Sequence, residues 1–256
     1  ALLFNYGKEV NSLVVARVAG DVARELAMQQ VAATPDVVAK ATQEVIRNSV
    51  TQADLKRFKE IHDLIEDVPK FGNDDDAVDA FAREAAYTYS KPLLQYHNPR
   101  GGMFQAGLYP VSANVPLGAQ TGATPDGRYA GMPVADGVSP TAGYDTKGPT
   151  ATANSVSKLD HGIASNGTLF NQKFHPSALA GDESLEKFVD YIRTYFDRKG
   201  SHMQFNVVSR ETLLDAQKNP EKYKHLVVRV AGYSALFTTL SKSLQDDIIR
   251  RTEQGF

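Results

Sequence analysis

The sequence predicts an α/β fold, and three features of the residue pattern indicate it. Helical periodicity dominates the first hundred residues. Residues 98–181 are dense in Gly, Pro, Ser, Thr and Asn, yet they are too apolar and too poor in charge for a disordered linker. After them, short alternating segments typical of strands are interspersed with helical segments. Because long irregular segments inside compact domains are often functional, we expect the centre of the chain to serve a site.

The helices predicted for the N-terminal part rest on apolar residues at helical spacing. They span residues 9–30, 34–48, 51–66 and 75–96. The turn "KFGNDDD" (70–76) precedes the last of them. Aspartates at a helix start accept hydrogen bonds from its first amides and oppose the positive end of the dipole. We therefore expect this acidic run to cap the helix rather than to bind a metal.

The C-terminal part predicts alternating helices and strands. Residues 183–199 carry an apolar helical stripe, "HMQFNVV" (202–208) alternates as a strand does, and "SRETLLDAQ" (209–217) begins as a capped helix. Residues 226–230 are β-branched and predict another strand, and residues 241–252 predict a short helix capped near Ser241. This alternation of helices and strands supports the predicted α/β fold.

Composition and charge exclude several function classes. The 256 residues are 42% hydrophobic, which is enough for a sizeable core in one or two domains. A net charge of −2 and a pI of about 6.3, with no basic stripe, argue against nucleic acid as a partner. The longest apolar runs fall short of the roughly 18–20 residues of a membrane span. We expect neither a nucleic-acid nor a membrane partner.

The reactive side chains give little indication of a metal or a nucleophile. The chain has no cysteine, which removes disulfides, thiolate metal sites and a cysteine nucleophile from this sequence. Its six histidines are widely dispersed, so we expect no metal site. The lack of cysteine fits a reducing cytoplasm.

One glycine stands out, Gly232 in "VVRVAGYSALF" (227–237), where it interrupts a run that otherwise predicts strand. Glycine weakens a strand and usually marks a bend, a bulge or a close approach to another group. The pattern alone does not say which of these applies.

This segment, with "LQDDIIRRT" after it, resembles the C-terminal signature of glycyl radical enzymes, in which an R-V-x-G-Y segment carries the radical. Further blocks are similar, in order, to the C–X lyase branch of that family, which includes glycerol and propanediol dehydratases, choline trimethylamine-lyase and isethionate sulfite-lyase. These blocks are "KFGNDDD", "NPRGGMFQAGLYPVSANVPLG", "GATPDGRYAGMPVADGVSP", "KGPTATANSVSKLDH", "ASNGTLFNQKFHPSAL" and "PEKYKHLVVRVAGY". The resemblance covers nearly the whole chain.

The resemblance implies a fold and a set of site residues. The fold would be the C-terminal part of the family's ten-stranded α/β barrel, with surrounding helices and a glycine radical loop. Residues 1–130 would belong to the pyruvate formate-lyase-like barrel domain and residues 131–256 to the glycyl radical domain. Gly232 would carry the radical, supported by Arg229 and Tyr233 in the loop. The strand-like "MFQAGLYP" segment would line the substrate pocket with Phe104, Leu108 and Tyr109.

The resemblance also implies partners and a reaction. No cofactor would be bound, because an activating enzyme that uses S-adenosylmethionine and an iron–sulfur cluster would install the radical at Gly232. A catalytic cysteine, absent from this chain, would lie in the remainder of a longer homodimeric enzyme in the cytoplasm or a bacterial microcompartment. A separate, non-catalytic radical-carrying subunit is the alternative. The expected reaction is radical elimination from a small hydroxyl-bearing molecule, with choline ahead of glycerol or propanediol and isethionate third.

Overall fold

The computed structural model describes residues 52–124 and 126–256, so the helices predicted over 9–30 and 34–48 lie outside the described residues. Two compact units can be distinguished. Among the described residues, one comprises 52–68 together with 116–124 and 126–133, and the other comprises Pro69–Val115 and Val134–Phe256. The family-domain boundary expected after residue 130 stays a prediction. No described helix combines the length and apolarity that a membrane crossing requires.

The first unit contains helix α1, Gln52–Glu66, close to its predicted bounds of 51–66. Its other described segment contains the last five residues of a helix, Asn114–Gln120, followed by an irregular turn built around the buried Arg128. The Arg128 guanidinium donates to the backbone carbonyls of Met132 at 2.6 Å, Tyr129 at 3.2 Å and Gly122. One buried side chain therefore supplies hydrogen bonds to several carbonyls of the same turn.

Helix α2, Asp76–Leu93, begins as the acidic run predicts. The Asp75 carboxylate accepts hydrogen bonds from the amides of Ala77 at 3.0 Å and Val78 at 3.2 Å. The neighbouring carboxylates of Asp74, Asp76 and Asp79 all lie 2.7–2.8 Å from the Lys158 ammonium group. The capping interpretation is confirmed, and the acidic run also pairs with a lysine distant in sequence.

The loop-rich centre contains more regular structure than its composition indicates. It holds helices α3 (Asn114–Gln120) and α4 (Gly148–Ser157) and strands β1 (Gly107–Leu108), β2 (Gly167–Thr168) and β3 (Asn171–Phe174). A 3₁₀ turn, Pro176–Leu179, follows. Strands β1 and β2 pair in parallel. Helix α4 is built from small residues and buries more than one of its faces, so it lacks the apolar stripe that would reveal it in the sequence.

A three-stranded parallel sheet forms the centre of the second unit. Strand β3 lies between β4 (Gln204–Val207) and β7 (Glu253–Gln254), with Asn171 opposite Gln204 and Phe174 opposite Gln254. Helix α5, Asp182–Asp197, packs Tyr191 and Tyr195 into the same core as Phe170 and Phe174. All four residues of β3 are buried, as expected for a strand between two others.

The C-terminal segment has its own core. It contains helix α6 (Arg210–Lys218), the antiparallel pair β5 (Val227–Arg229) and β6 (Ser234–Leu236), and helix α7 (Lys242–Arg250). Val228, Val230, Phe237 and Ile248 are fully or almost fully buried among these elements. Ser209 caps α6 through a 3.1 Å bond from the Thr212 amide. Ser241 lies at the start of α7, but its hydroxyl contacts Ser243 and caps no amide.

The described residues form three small sheets, with two, three and two strands. They therefore confirm a fold of mixed helix and sheet. A ten-stranded barrel is not established by these residues and stays a prediction for the complete fold.

Candidate radical site

Gly232 lies in the turn of the β5–β6 hairpin with φ at +81°. This conformation is open to glycine and strained for residues with a Cβ. The Val230 amide donates to the Tyr233 carbonyl across the turn, at 2.9 Å. Gly232 itself is exposed within the described part of the chain, and a Cβ placed on it would meet Leu169 Cδ1 at 3.7 Å, an ordinary van der Waals contact. The backbone angle, rather than lack of space, explains the glycine.

Two polar side chains of β4 hold the hairpin. Gln204 and Asn206 are two positions apart, so they lie on the same face of the strand. Gln204 Oε1 accepts the Gly232 amide at 3.1 Å and Arg229 Nε at 3.0 Å. Asn206 bonds both backbone groups of Arg229, accepting from its amide and donating to its carbonyl, each at 2.7 Å. These amide side chains take the place of a backbone ladder between β4 and β5.

A buried charged cluster lies beneath these two amides. Arg251 donates to the Val230 carbonyl at 2.8 Å and forms ion pairs with Asp136 at 3.3 Å and Asp247 at 3.2 Å. Asn171 donates to the Asp136 carboxylate and to the Val230 carbonyl. Burial raises the pKa of Asp136 above its ordinary value, whereas Arg251 and Asn171 act in the opposite direction. The backbone next to Gly232 is thus anchored to a charged core.

Replacing Arg251 with leucine should destabilise this part of the fold. The change would leave Asp136 and Asp247 buried without their shared cation, which costs about 3–5 kcal/mol for a buried ion pair broken on one side. Thermal unfolding of the purified variant would measure the loss. Arg250→Leu is the control, because Arg250 is partly exposed and reaches Asp247 only at 4.0 Å. Equal melting temperatures for the two variants would contradict the role given to Arg251.

Both predicted loop-support residues belong to the hairpin, and their side chains hold it in place. Besides Gln204, the Arg229 guanidinium reaches the Ser234 hydroxyl on the opposite strand at 3.2 Å. Tyr233 is partly buried against the C-terminal core. These contacts are those of anchors, and their part in radical chemistry stays a prediction.

The predicted pocket residues are brought only partly toward the glycine. Leu108 lies in β1 opposite Thr168, and its carbonyl accepts the Leu169 amide at 3.1 Å. Leu169 is the residue whose side chain adjoins Gly232, so Leu108 is one residue removed from the hairpin. Phe104 and Tyr109 are 45% and 42% exposed. Whether these three side chains line a substrate pocket stays a prediction.

The residue pattern did not reveal the supporting side chains. Asp136, Asn171, Gln204, Asn206 and Arg251 are all buried polar or charged residues. The alternation in "HMQFNVV" places Gln204 and Asn206 on one face of a strand, and that face reads as solvent-facing. The sequence does not show that these side chains lie next to the Gly232 turn in the folded chain.

Two groups in the described residues have the residue types of a metal site. One is the Asp74, Asp76 and Asp79 cluster, whose carboxylates already surround Lys158. The other comprises His175, Glu211 and Glu253, where Glu253 accepts the Arg210 amide at 2.7 Å and lies 3.9 Å from the Lys173 ammonium group. Neither group includes a residue of the hairpin, and both are already engaged in charge pairing or hydrogen bonds.

Two family models match the chain. The family described as Glycine radical matches residues 134–238, and the family described as Pyruvate formate lyase-like matches residues 31–118. A solved structure concerning 1,2-propanediol dehydration in Roseburia inulinivorans is 62% identical, with a TM-score of 0.86, over 99% of this chain and 30% of that one. The glycerol-bound B12-independent glycerol dehydratase of Clostridium butyricum is 59% identical, with a TM-score of 0.77, over 85% of this chain and 28% of its own.

Among curated proteins, the probable dehydratase YbiW of Escherichia coli K12 is 54% identical over 197 residues, which cover 74% of this chain and 24% of that protein. The chain thus spans about a quarter of the length of the curated relatives it matches. Gly232 and both strands of its hairpin fall inside the segment matched by the Glycine radical family. The chain therefore belongs to the glycyl radical enzyme family, of the pyruvate formate-lyase-like type.

Proposed function

We propose that this chain is the radical-bearing part of a dehydratase that removes water from a small vicinal diol such as 1,2-propanediol or glycerol. The observation that carries the proposal is the similarity over 99% of the chain, at 62% identity, to the structure concerning 1,2-propanediol dehydration. Gly232 is the proposed radical carrier, since it lies in the matched glycine-radical segment and its turn is held from below by buried side chains.

Glycine suits a backbone radical for a physical reason. The radical carbon is planar and shares its unpaired electron with the amide nitrogen and the carbonyl on either side. A residue without a Cβ places no substituent against that plane. An activating enzyme that uses S-adenosylmethionine and an iron–sulfur cluster is the proposed source of the radical, because glycyl radical enzymes need such an enzyme to generate it.

The proposed reaction needs a second residue outside these 256 positions. The glycyl radical would take the hydrogen atom of a cysteine thiol, and this chain has no cysteine. The resulting thiyl radical would take a hydrogen atom from the carbon that bears one hydroxyl. The neighbouring hydroxyl would leave as water with the proton that the first hydroxyl gives up as it becomes a carbonyl. The product radical would then take the hydrogen atom back from the thiol, which leaves an aldehyde and restores the thiyl radical.

Diols replace choline as the proposed substrate. The candidate pocket residues suit a trimethylammonium group and a small diol equally well. The expectation of choline therefore had no support from those residues over a diol. The two solved structures cited above concern 1,2-propanediol dehydration and a glycerol dehydratase, and this favours a dehydratase over choline cleavage.

A sulfonate substrate is less favoured than a diol. It would need a cation near the pocket wall, and Arg100 is the arginine in the adjoining sequence block. Arg100 is exposed in a turn whose amides are already used, since the Arg100 and Gly102 amides bond Asn98 Oδ1 at 2.9 and 3.1 Å. The backbone of this turn therefore has few free amides with which to help Arg100 bind a sulfonate.

The remaining partners are part of the same proposal. The cysteine would come from the remainder of the enzyme, and a homodimer in the cytoplasm or a microcompartment is the proposed assembly. The alternative of another class is a non-catalytic subunit that carries the radical for a separate enzyme. An open reading frame that runs into residue 1 and encodes a cysteine, one residue, then a glutamate would favour the single enzyme.

A substrate panel tests the proposal directly. The complete enzyme, activated without oxygen, would be given 1,2-propanediol, glycerol, choline and isethionate in turn, with product analysis. We expect aldehyde from a diol at a kcat/KM about a hundredfold or more above that for choline. Choline carries a trimethylammonium group in place of the second hydroxyl, and a site that bonds both hydroxyls rejects a ligand that has only one of them. Trimethylamine release at a comparable rate would contradict the diol proposal, and a stable radical without turnover on any compound would favour the non-catalytic subunit.

A further inference from the structure

The Gln204 side chain connects the proposed radical residue to the buried charged cluster. It is 6% exposed, and its oxygen accepts two hydrogen bonds from the hairpin, from the Gly232 amide and from Arg229 Nε. Its nitrogen donates to Asn171 Oδ1. A single buried amide is thus bonded at both ends, to the radical turn at one and to the core at the other.

The orientation of this amide follows from its neighbours. The Val230 carbonyl can only accept, so the Asn171 side-chain nitrogen must be the group that donates to it at 3.2 Å. Asn171 therefore offers its oxygen to Gln204, which must present its own nitrogen in return. That leaves Gln204 Oε1 facing the Gly232 amide. The hydrogen-bond network permits one arrangement and excludes the flipped amide.

We propose that Gln204 is a positioning residue for the radical reaction, which fixes the plane of the Gly232 amide through its side-chain oxygen. The inference rests on the proposed function of Gly232. The Gly232 amide is one of the two groups that would share the unpaired electron, and the buried Gln204 oxygen below its N–H group fixes the orientation of that amide. At the φ of +81° in this turn the carbon is not coplanar with the amide, so it would have to rotate about its N–Cα bond against a fixed amide plane. Strands β5 and β6 pair with each other, so side chains of β4 supply this constraint.

Arg229 shares the oxygen that holds the glycine. Its Nε lies 3.0 Å from Gln204 Oε1, and its backbone amide and carbonyl are held by Asn206. The arginine therefore keeps the acceptor oxygen in place from the hairpin side. This contact gives the R-V-x-G-Y motif a structural reason: the arginine and the glycine bind the same amide group.

Three variants of the complete enzyme separate positioning from general damage to the core. Gln204→Met keeps the side chain's length and removes both hydrogen-bonding atoms, and Gln204→Glu keeps the acceptor oxygen. Gln172→Met is the matched control, since Gln172 is 5% exposed on the adjacent strand β3 and bonds the Tyr191 hydroxyl. Each variant would be examined for hydrogen exchange of the Gly232 amide before activation, and for radical content, kcat and KM after it.

Gln204→Met should speed exchange of the Gly232 amide about tenfold and lower kcat by a similar factor at unchanged KM, because the Gly232 amide would lose its hydrogen-bond acceptor. Gln204→Glu keeps the acceptor for the Gly232 amide but sets its second oxygen against Asn171 Oδ1, so both quantities should fall between wild type and Gln204→Met. Gln172→Met should leave both near wild type. Unchanged exchange and kcat in Gln204→Met, or an equal loss in Gln172→Met, would overturn the proposal. A wild-type enzyme without a radical at Gly232 would remove the proposed function instead, while the exchange data would still decide whether Gln204 holds the amide.

Discussion

Gly232→Ala should abolish the radical and turnover while the fold survives. The added methyl group has room, because its nearest neighbour would be Leu169 Cδ1 at 3.7 Å. The positive φ of +81° adds a strain of about 1–2 kcal/mol for a residue with a Cβ. The radical is lost for a separate reason, since the methyl group crowds the planar carbon. Electron paramagnetic resonance after anaerobic activation measures the first effect, and thermal unfolding measures the second.

The two readouts make this prediction specific. We expect no radical signal, with a melting temperature within a few degrees of wild type. A normal signal in Gly232→Ala would place the radical on another residue. Loss of the signal together with gross unfolding would contradict the local nature of the site.

Gly137→Ala should damage the fold severely, although this glycine has the same φ of +81°. A Cβ on Gly137 would lie 2.4 Å from the Leu169 carbonyl oxygen and 3.1 Å from that of Leu108. Both are backbone atoms, so no side chain can rotate away. Strain in φ and overpacking together give an expected loss of about 3 kcal/mol or more in unfolding free energy. Thermal unfolding and the soluble yield of the variant would measure this loss.

Gly143→Ala is the matched control for that experiment. Gly143 also has a positive φ, +93°, and nothing lies within 4 Å of its ideal Cβ position. It should therefore show the φ strain without the clash. Equal losses in the two variants would mean that the packing of Gly137 against Leu169 and Leu108 contributes little. That packing matters for the site because Leu169 is the apolar neighbour of Gly232.

The sequence predicted those elements whose signals are local. Helix α5 has an apolar stripe on one side, and α2 and α6 begin at the side chains of Asp75 and Ser209, which bond the first amides as their types predict. Helix α4 was missed because its small residues are buried on more than one face and leave no period to detect. Ser241 occupies the predicted start of α7, but its hydroxyl pairs with Ser243 and bonds no amide of the helix.

The site was predictable only in part, for a related reason. Gly232 was identified by its motif, which is local in sequence. Gln204, Asn171 and Arg251 converge on the hairpin from three separate segments, and their polar character reads as exposure when each segment is taken alone. Burial of a polar group becomes evident only with its partners in place, and tertiary structure supplies those partners.

The position of oxygen cleavage tests the central proposal, that Gly232 carries the radical, most directly. The complete enzyme would be activated without oxygen, exposed to air and measured by mass spectrometry. A radical at Gly232 should direct cleavage to that residue and release a piece that begins at Tyr233, which amounts to about 24 residues if the piece ends at Phe256. An uncut chain, or cleavage at another of the 19 glycines, would contradict the assignment.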